Sequence, residues 1–169
     1  MHGVFQAKQN SKWIDINEDS DFDRDYYLYS WLGMGGWIPP ICKPRGIPCD
    51  FEESERHLLG EWGFSWLLAS EIIESGPPSQ NMRIWVPIDT YEKWDRTSNP
   101  AIWHELHSDW QKHEDAEHYA TPESINEETW WVIVDWNYDF TADFSSFFSK
   151  LQRLMDRYGE VRLVFGFNS

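Results

Sequence analysis

Four histidines, His104, His107, His113 and His118, lie in one acidic stretch beside Glu105, Asp109, Glu114, Asp115 and Glu117. On a helix, the i, i+3 spacing of His104 and His107 lets two imidazoles share a metal ion with a carboxylate. The order here is H-E-L-H. It lacks the H-E-x-x-H spacing that sets two ligands on one face with a base between them. His113 falls on an apolar stripe with Trp103, Leu106 and Trp110, as a half-buried histidine would. A solvated helix face accounts for the segment without a metal, so His104 and His107 stand as the metal candidates and no cofactor is expected.

Lys43-Pro44-Arg45-Gly46-Ile47-Pro48 is the basic cluster of the first half of the chain. Prolines fix its backbone and Gly46 permits an unusual dihedral angle or a close approach. A rigid loop of this kind can present Lys43 and Arg45 to an anion, with Trp37, Trp66 and Arg24 as aromatic and basic neighbours and Asp50 closing the segment. Arg24, Trp37, Lys43, Arg45, Asp50 and Trp66 are therefore the candidate ligand-binding residues. The competing reading is a structural clamp in which the cations pair with Asp50, Glu52 or Glu53. Gly33-Met34-Gly35-Gly36 has neither the lysine nor the following helix of a phosphate loop.

Asp135, Asp139 and Asp143, with Glu127 and Glu128 ahead of them, flank an apolar run. Paired acids at a strand end can do acid–base or metal chemistry, but helix capping and loop solvation explain them more simply. No G-x-S-x-G is present, and Ser65 in F-S-W has no adjacent base. No catalytic residue is assigned.

Composition narrows the partners. Asp and Glu number 29 against 14 Lys and Arg, a formal net charge of −15. Phosphates repel such a chain, so direct nucleic-acid binding is disfavoured and a protein with a basic surface is the expected partner. Twelve tryptophans are more than a core of this size readily hides, so some are expected on a binding surface. Cys42 and Cys49 do not have zinc-knuckle spacing. With no leader-like start and no apolar run of spanning length, a soluble cytoplasmic chain with reduced thiols is expected.

The elements that must position these residues follow from periodicity. At 169 residues, 41% of them hydrophobic, one domain is expected over 1–169. Val4–Gln9 and Lys12–Ile16 predict a hairpin about Asn10-Ser11. Tyr26–Leu32 predicts a short aromatic helix stopped by glycines. Asp50 and Glu53 resemble a capping box opening a helix to Gly60. Phe64–Glu74 and the segment from Pro100 predict further helices, and Met82–Ile88 an edge strand. Trp130–Val134 predicts a strand buried on both faces. Phe144, Phe147, Phe148, Leu151, Leu154, Met155 and Tyr158 form one helical stripe ended by Gly159. Val161–Phe167 closes the chain as a strand. The expected fold is α+β: a mixed sheet packed by about four helices, with an N-terminal hairpin and a C-terminal βαβ unit.

Three stretches resemble a family of uncharacterised proteins encoded by tailed bacteriophages and prophages. They are Asp23-Arg24-Asp25-Tyr26-Tyr27-Leu28-Tyr29-Ser30-Trp31-Leu32-Gly33, then Pro40 to Pro48 with Asp50, then Phe64-Ser65-Trp66-Leu67 with Ser70-Glu71. The ending Val161–Asn168 is similar to that family's closing strand, and P-R-G-x-P is the most specific part. Relatives carry a histidine just ahead of F-S-W, where Trp62-Gly63 stand here. The resemblance implies a phage origin, a host-cytoplasm setting and no assigned activity. The function expected is a non-enzymatic phage accessory protein that binds and inhibits a host protein, for takeover or anti-defence, in its sharper form as a DNA mimic. The alternative is a nucleotide-like anion held at the Lys43–Arg45 loop, and after it a hydrolase using a metal at His104 and His107.

Overall fold

Two short stretches of extended backbone, folded back on each other, open the chain. β1 (His2–Gln9) and β2 (Lys12–Asp15) form an antiparallel hairpin. Its turn residues Asn10 and Ser11 both take positive φ, 48° and 66°, the geometry that matches a two-residue turn to strand twist. There follow α1 (Tyr26–Tyr29), β3 (Trp62–Leu68), α2 (Ala69–Ser75), β4 (Ser79–Pro87) and α3 (Ile88–Lys93). β5 (His104–Glu105), β6 (Tyr119–Ala120), β7 (Trp131–Asp139), α4 (Ser145–Tyr158) and β8 (Val161–Phe167) complete the order. The computed structural model describes residues 1–18, 25–106, 110–112 and 114–168. Among them no helix is long and apolar enough to cross a membrane, and Cys42 and Cys49 are unbridged.

The fold class is α+β, built as two compact units: Met1–Pro78 with Thr141–Ser169, and Ser79–Phe140. In the first unit the strand order is β2-β1-β8-β3, antiparallel throughout. β8 lies inside this sheet and all seven of its residues are buried, because both faces are covered. Val161, Leu163, Phe165 and Phe167 share one face by strand alternation. α2 and α4 pack on β8, and α4 buries Phe147, Leu151 and Leu154. On the other face Val4 and Val164 meet Phe51 and Leu59 from the segment before β3. Gly166 faces that segment, where a Cβ would collide with the Leu59 carbonyl and the Phe64 ring.

Several local expectations yield to this sheet. Phe64–Glu74 is not one helix: it is β3 up to Leu68 and α2 from Ala69, because the second edge of β8 takes Trp66 opposite Val164 and Leu67 opposite Leu163. Asp50 caps no α-helix. Glu53–Leu59 is a 3-10 helix, and the Asp50 carboxylate is spent on Arg162, 2.9 Å away. α1 does form where expected, capped by Asp25, whose Oδ1 accepts the N–H of Tyr27 at 3.0 Å and of Leu28 at 2.9 Å. It runs into a π-turn over Ser30–Met34 that ends at Gly35, φ 71°.

The second unit holds a mixed sheet ordered β5-β4-β7-β6. β4 and β7 pair antiparallel from Ser79 opposite Asp139 to Pro87 opposite Trp131. β6 adds in parallel, Tyr119 beside Trp131 and Ala120 beside Val132. β7 is not buried on both faces: Val132 and Tyr138 are buried, while Trp131, Ile133 and Val134 are half-buried. Over 100–106 the segment from Pro100 is not a helix, since its apolar residues are claimed one at a time by the sheet. Trp103 rests on Tyr138 with ring centres 4.3 Å apart, His104 stacks on Trp85 at 4.4 Å, and the Leu106 N–H donates to the Arg83 carbonyl at 2.9 Å. β7 and β8 belong to different sheets, so the strand–helix–strand succession about α4 is not a single-sheet βαβ crossover.

Candidate functional site

The Lys43–Arg45 loop is held against β3. The Ser65 hydroxyl accepts the Arg45 N–H at 3.1 Å, and the Gly46 N–H donates to the Phe64 carbonyl at 3.1 Å. Gly46 takes φ 76°, the left-handed conformation its position needs. The guanidinium of Arg45 lies 4.8 Å over the Trp66 ring and forks onto Glu71, both Nη atoms 2.8 Å from its carboxylate oxygens. The pairing raises the Arg45 pKa and holds the Glu71 carboxyl below the ordinary glutamate range. The Leu68 N–H works in the same direction on Glu71, and burial opposes it. The arrangement is a clamp, with Glu71 in the place where Asp50, Glu52 or Glu53 were expected.

The remaining candidates disperse. Asp50 meets Arg162, and the half-exposed Trp37 packs edge-on against Tyr27 at 6.0 Å. Lys43 is exposed, and Arg24 lies outside the described residues. Of the histidines, His107 and His113 also lie outside them. His104 is stacked on Trp85. His118 has Nδ1 2.9 Å from the Glu128 carbonyl and its ring 3.6 Å from that of Trp130, nearly parallel. No group of three metal-ligating side chains forms among the described residues. Asp135 forks with Arg83 at 2.8 and 3.0 Å, which lowers its pKa.

A cleft that sequence reasoning missed lies in the second unit. Its volume is about 530 Å³, and its walls include Tyr91, Trp94, Arg96, Thr121–Glu123 and the consecutive residues Ile133–Trp136. Arg83 and Leu106 line it too, so the cleft runs over the face of the β4–β7 pair as well as along the outer edge of β7. β6 covers β7 only at Trp131 and Val132, so no strand of the described residues pairs with that edge from Ile133 onward. In an antiparallel pair successive residues point their N–H and C=O alternately toward and away from the partner. Asp139 donates its N–H away from β4, to Asn99 Oδ1 at 3.1 Å. By that alternation Ile133, Asp135 and Asn137 point the same way.

The aromatic wall is fixed by its own polar tips. The Trp94 Nε1–H donates to the Ser98 carbonyl at 2.6 Å, and Trp136 Nε1–H to Asn99 Oδ1 at 3.1 Å. The two indoles meet edge to face at 4.5 Å. With their N–H groups satisfied internally, the rings offer the cleft apolar surface. Arg96 stands over Tyr91 at 4.4 Å and holds φ 60°, a left-handed conformation costly for arginine. The sequence trace of this site is Y-x-x-W-x-R over Tyr91–Arg96, a pattern with no mechanism attached until the strand edge is seen.

Compared with known proteins, the chain matches no family model, no curated protein and no solved structure.

Proposed function

We propose that this chain is a binding protein that works without catalysis, taking an extended segment of a protein partner along the outer edge of β7. The carrying observation is the cleft itself: a strand edge with no strand beside it from Ile133 onward, walled by Trp94, Trp136 and Tyr91. Strand addition supplies affinity through main-chain hydrogen bonds, and alternate side-chain pockets supply selectivity. A net charge of −15 speeds encounter with a basic protein and slows encounter with nucleic acid. Exposed Trp37, Trp62 and Trp130 add apolar contact area elsewhere on the surface. With the resemblance to phage accessory proteins, the reading becomes a phage inhibitor of a host protein, acting in the host cytoplasm.

The test is capture from bacterial lysate by the untagged chain at low and high salt, with mass spectrometry of the eluate. Asp135→Pro and Asp135→Ala serve as paired variants. Both lose the exposed ion pair to Arg83, which solvent screens, and only proline also removes the outward N–H. A stoichiometric protein kept by the alanine variant and lost by the proline variant is the expected result. An empty eluate, or equal capture by both variants, refutes it.

A further inference from the structure

We infer that the segment taken along β7 carries a carboxylate, and that Arg96 is the residue that selects it. The inference rests on the strand-edge reading and names the chemistry of the occupant. Among the described residues Arg96 and the exposed Arg153 of α4 pair with no carboxylate, and of the two only Arg96 lines the cleft. Arg45, Arg56, Arg83, Arg157 and Arg162 each face a carboxylate, Glu71, Glu53, Asp135, Glu18 and Asp50 in turn. Arg96 faces main-chain carbonyls instead. Its Nη1 donates to Trp94 at 2.9 Å and its Nη2 to Tyr91 at 3.4 Å. Among the described residues it has no acidic partner, although the chain carries about two acids for every base.

A guanidinium has five N–H donors in a fixed fork, so these two bonds leave three for a ligand. The two carbonyls and the Tyr91 and Trp94 rings, 4.4 and 5.8 Å away, hold it in place. Little side-chain entropy therefore remains to be lost on binding. A carboxylate is the group that accepts a guanidinium fork with two parallel bonds.

The cleft's charges agree with a peptide better than with a polyanion. Arg83 and Asp135 neutralise each other, and Glu123 stands on the wall as a second charge, opposite in sign to Arg96. A segment with one carboxylate and a basic group nearby satisfies both. It also suits a chain whose overall field favours basic partners. The carboxylate can be an acidic side chain or a free C-terminus, and the chemistry at Arg96 is the same.

The probe is a synthetic library of extended eight-residue peptides with a Thr/Val repeat and one lysine. Each is made with a single Glu or the matching Gln, and with a free or an amidated C-terminus. Binding is read by fluorescence anisotropy, with inorganic phosphate and AMP as competitors. Arg96→Asn is the variant, because asparagine tolerates the left-handed conformation, and an unchanged melting temperature verifies its fold. We expect a roughly tenfold preference for Glu over Gln, or for free over amidated ends, abolished in Arg96→Asn while residual binding to the Gln, amidated forms persists. Which preference appears identifies the source. Equal binding of all four forms overturns the carboxylate and leaves the strand-edge reading standing. Arg96-dependent binding of phosphate or AMP without any peptide makes the occupant a small anion and overturns the inference. Failure of every peptide to bind overturns the strand-edge reading and the inference with it.

Discussion

Replacing Asp50 with alanine strips the acidic partner from a guanidinium that is only 3% exposed. Arg162 sits on β8 with Nε donating to Gln6 Oε1 at 2.9 Å, Nη1 paired to Asp50 at 2.9 Å and its plane 4.4 Å from the Trp13 ring. Its Nη2 is buried without a partner among the described residues. Burial pushes the Arg162 pKa down, and Asp50 pulls it back up. Removing one partner of a fully buried pair costs about 3–5 kcal/mol. Here the Asp50 side chain is 49% exposed, so water replaces part of what is lost, and the expected cost falls to about 2–3 kcal/mol. For a chain of this length that lowers Tm by roughly 5–10 °C. Arg162→Met removes the charge and the unpartnered donor while keeping much of the volume. It also leaves the buried Gln6 Oε1 without its donor, so it is expected to cost about 1–2 kcal/mol, with Asp50→Ala adding almost nothing on top of it. Urea unfolding of the four-member cycle, with hydrogen exchange of β1 and β8 amides as the local readout, measures the coupling. If Asp50→Ala is neutral while Arg162→Met costs more than about 3 kcal/mol, packing on Trp13 and Gln6 holds the guanidinium, and the reasoning from charge is wrong.

Two further outcomes follow from the first unit. The Glu71 pKa is depressed in the fold, chiefly by Arg45, so its stabilisation is fully present above the ordinary glutamate range and is lost as pH falls through the lowered value. Glu71→Gln is expected to cost about 1 kcal/mol at pH 7 and to flatten the stability profile below about pH 4, measured by thermal melts across pH. Gly166→Ala drives a Cβ into the Leu59 carbonyl and the Phe64 ring, so a loss of about 1–3 kcal/mol is expected in urea unfolding. A wild-type midpoint would show that the 3-10 segment over Glu53–Leu59 yields freely.

The readings that held are those whose physical cause is local. Asn10-Ser11 encodes the hairpin turn, the stripe from Phe147 to Leu154 encodes α4, and Gly159 at φ 80° stops it. α+β was legible for the same reason. The candidate loop was legible from its prolines and cations, but its partner was not: Glu71 lies 26 residues from Arg45, and nothing between them signals the fork.

Long-range strand pairing decided the rest. The 62–68 stretch is a strand because β8 had an edge to offer, and hydrophobic spacing alone does not separate that from a helix. The stretch 100–106, ahead of most of the histidines, is not helical because His104 stacks on Trp85 and Trp103 on Tyr138. The cleft depends on where β6 stops along β7. A two-residue parallel pairing leaves an open edge next to Arg96, and the residues that meet there are scattered over Arg83–Trp136. Sequence determined the charge, the hairpin turn, the amphipathic helix and the glycine that stops it. Only the closed sheets determined which cations were already paired and which strand edge remained free.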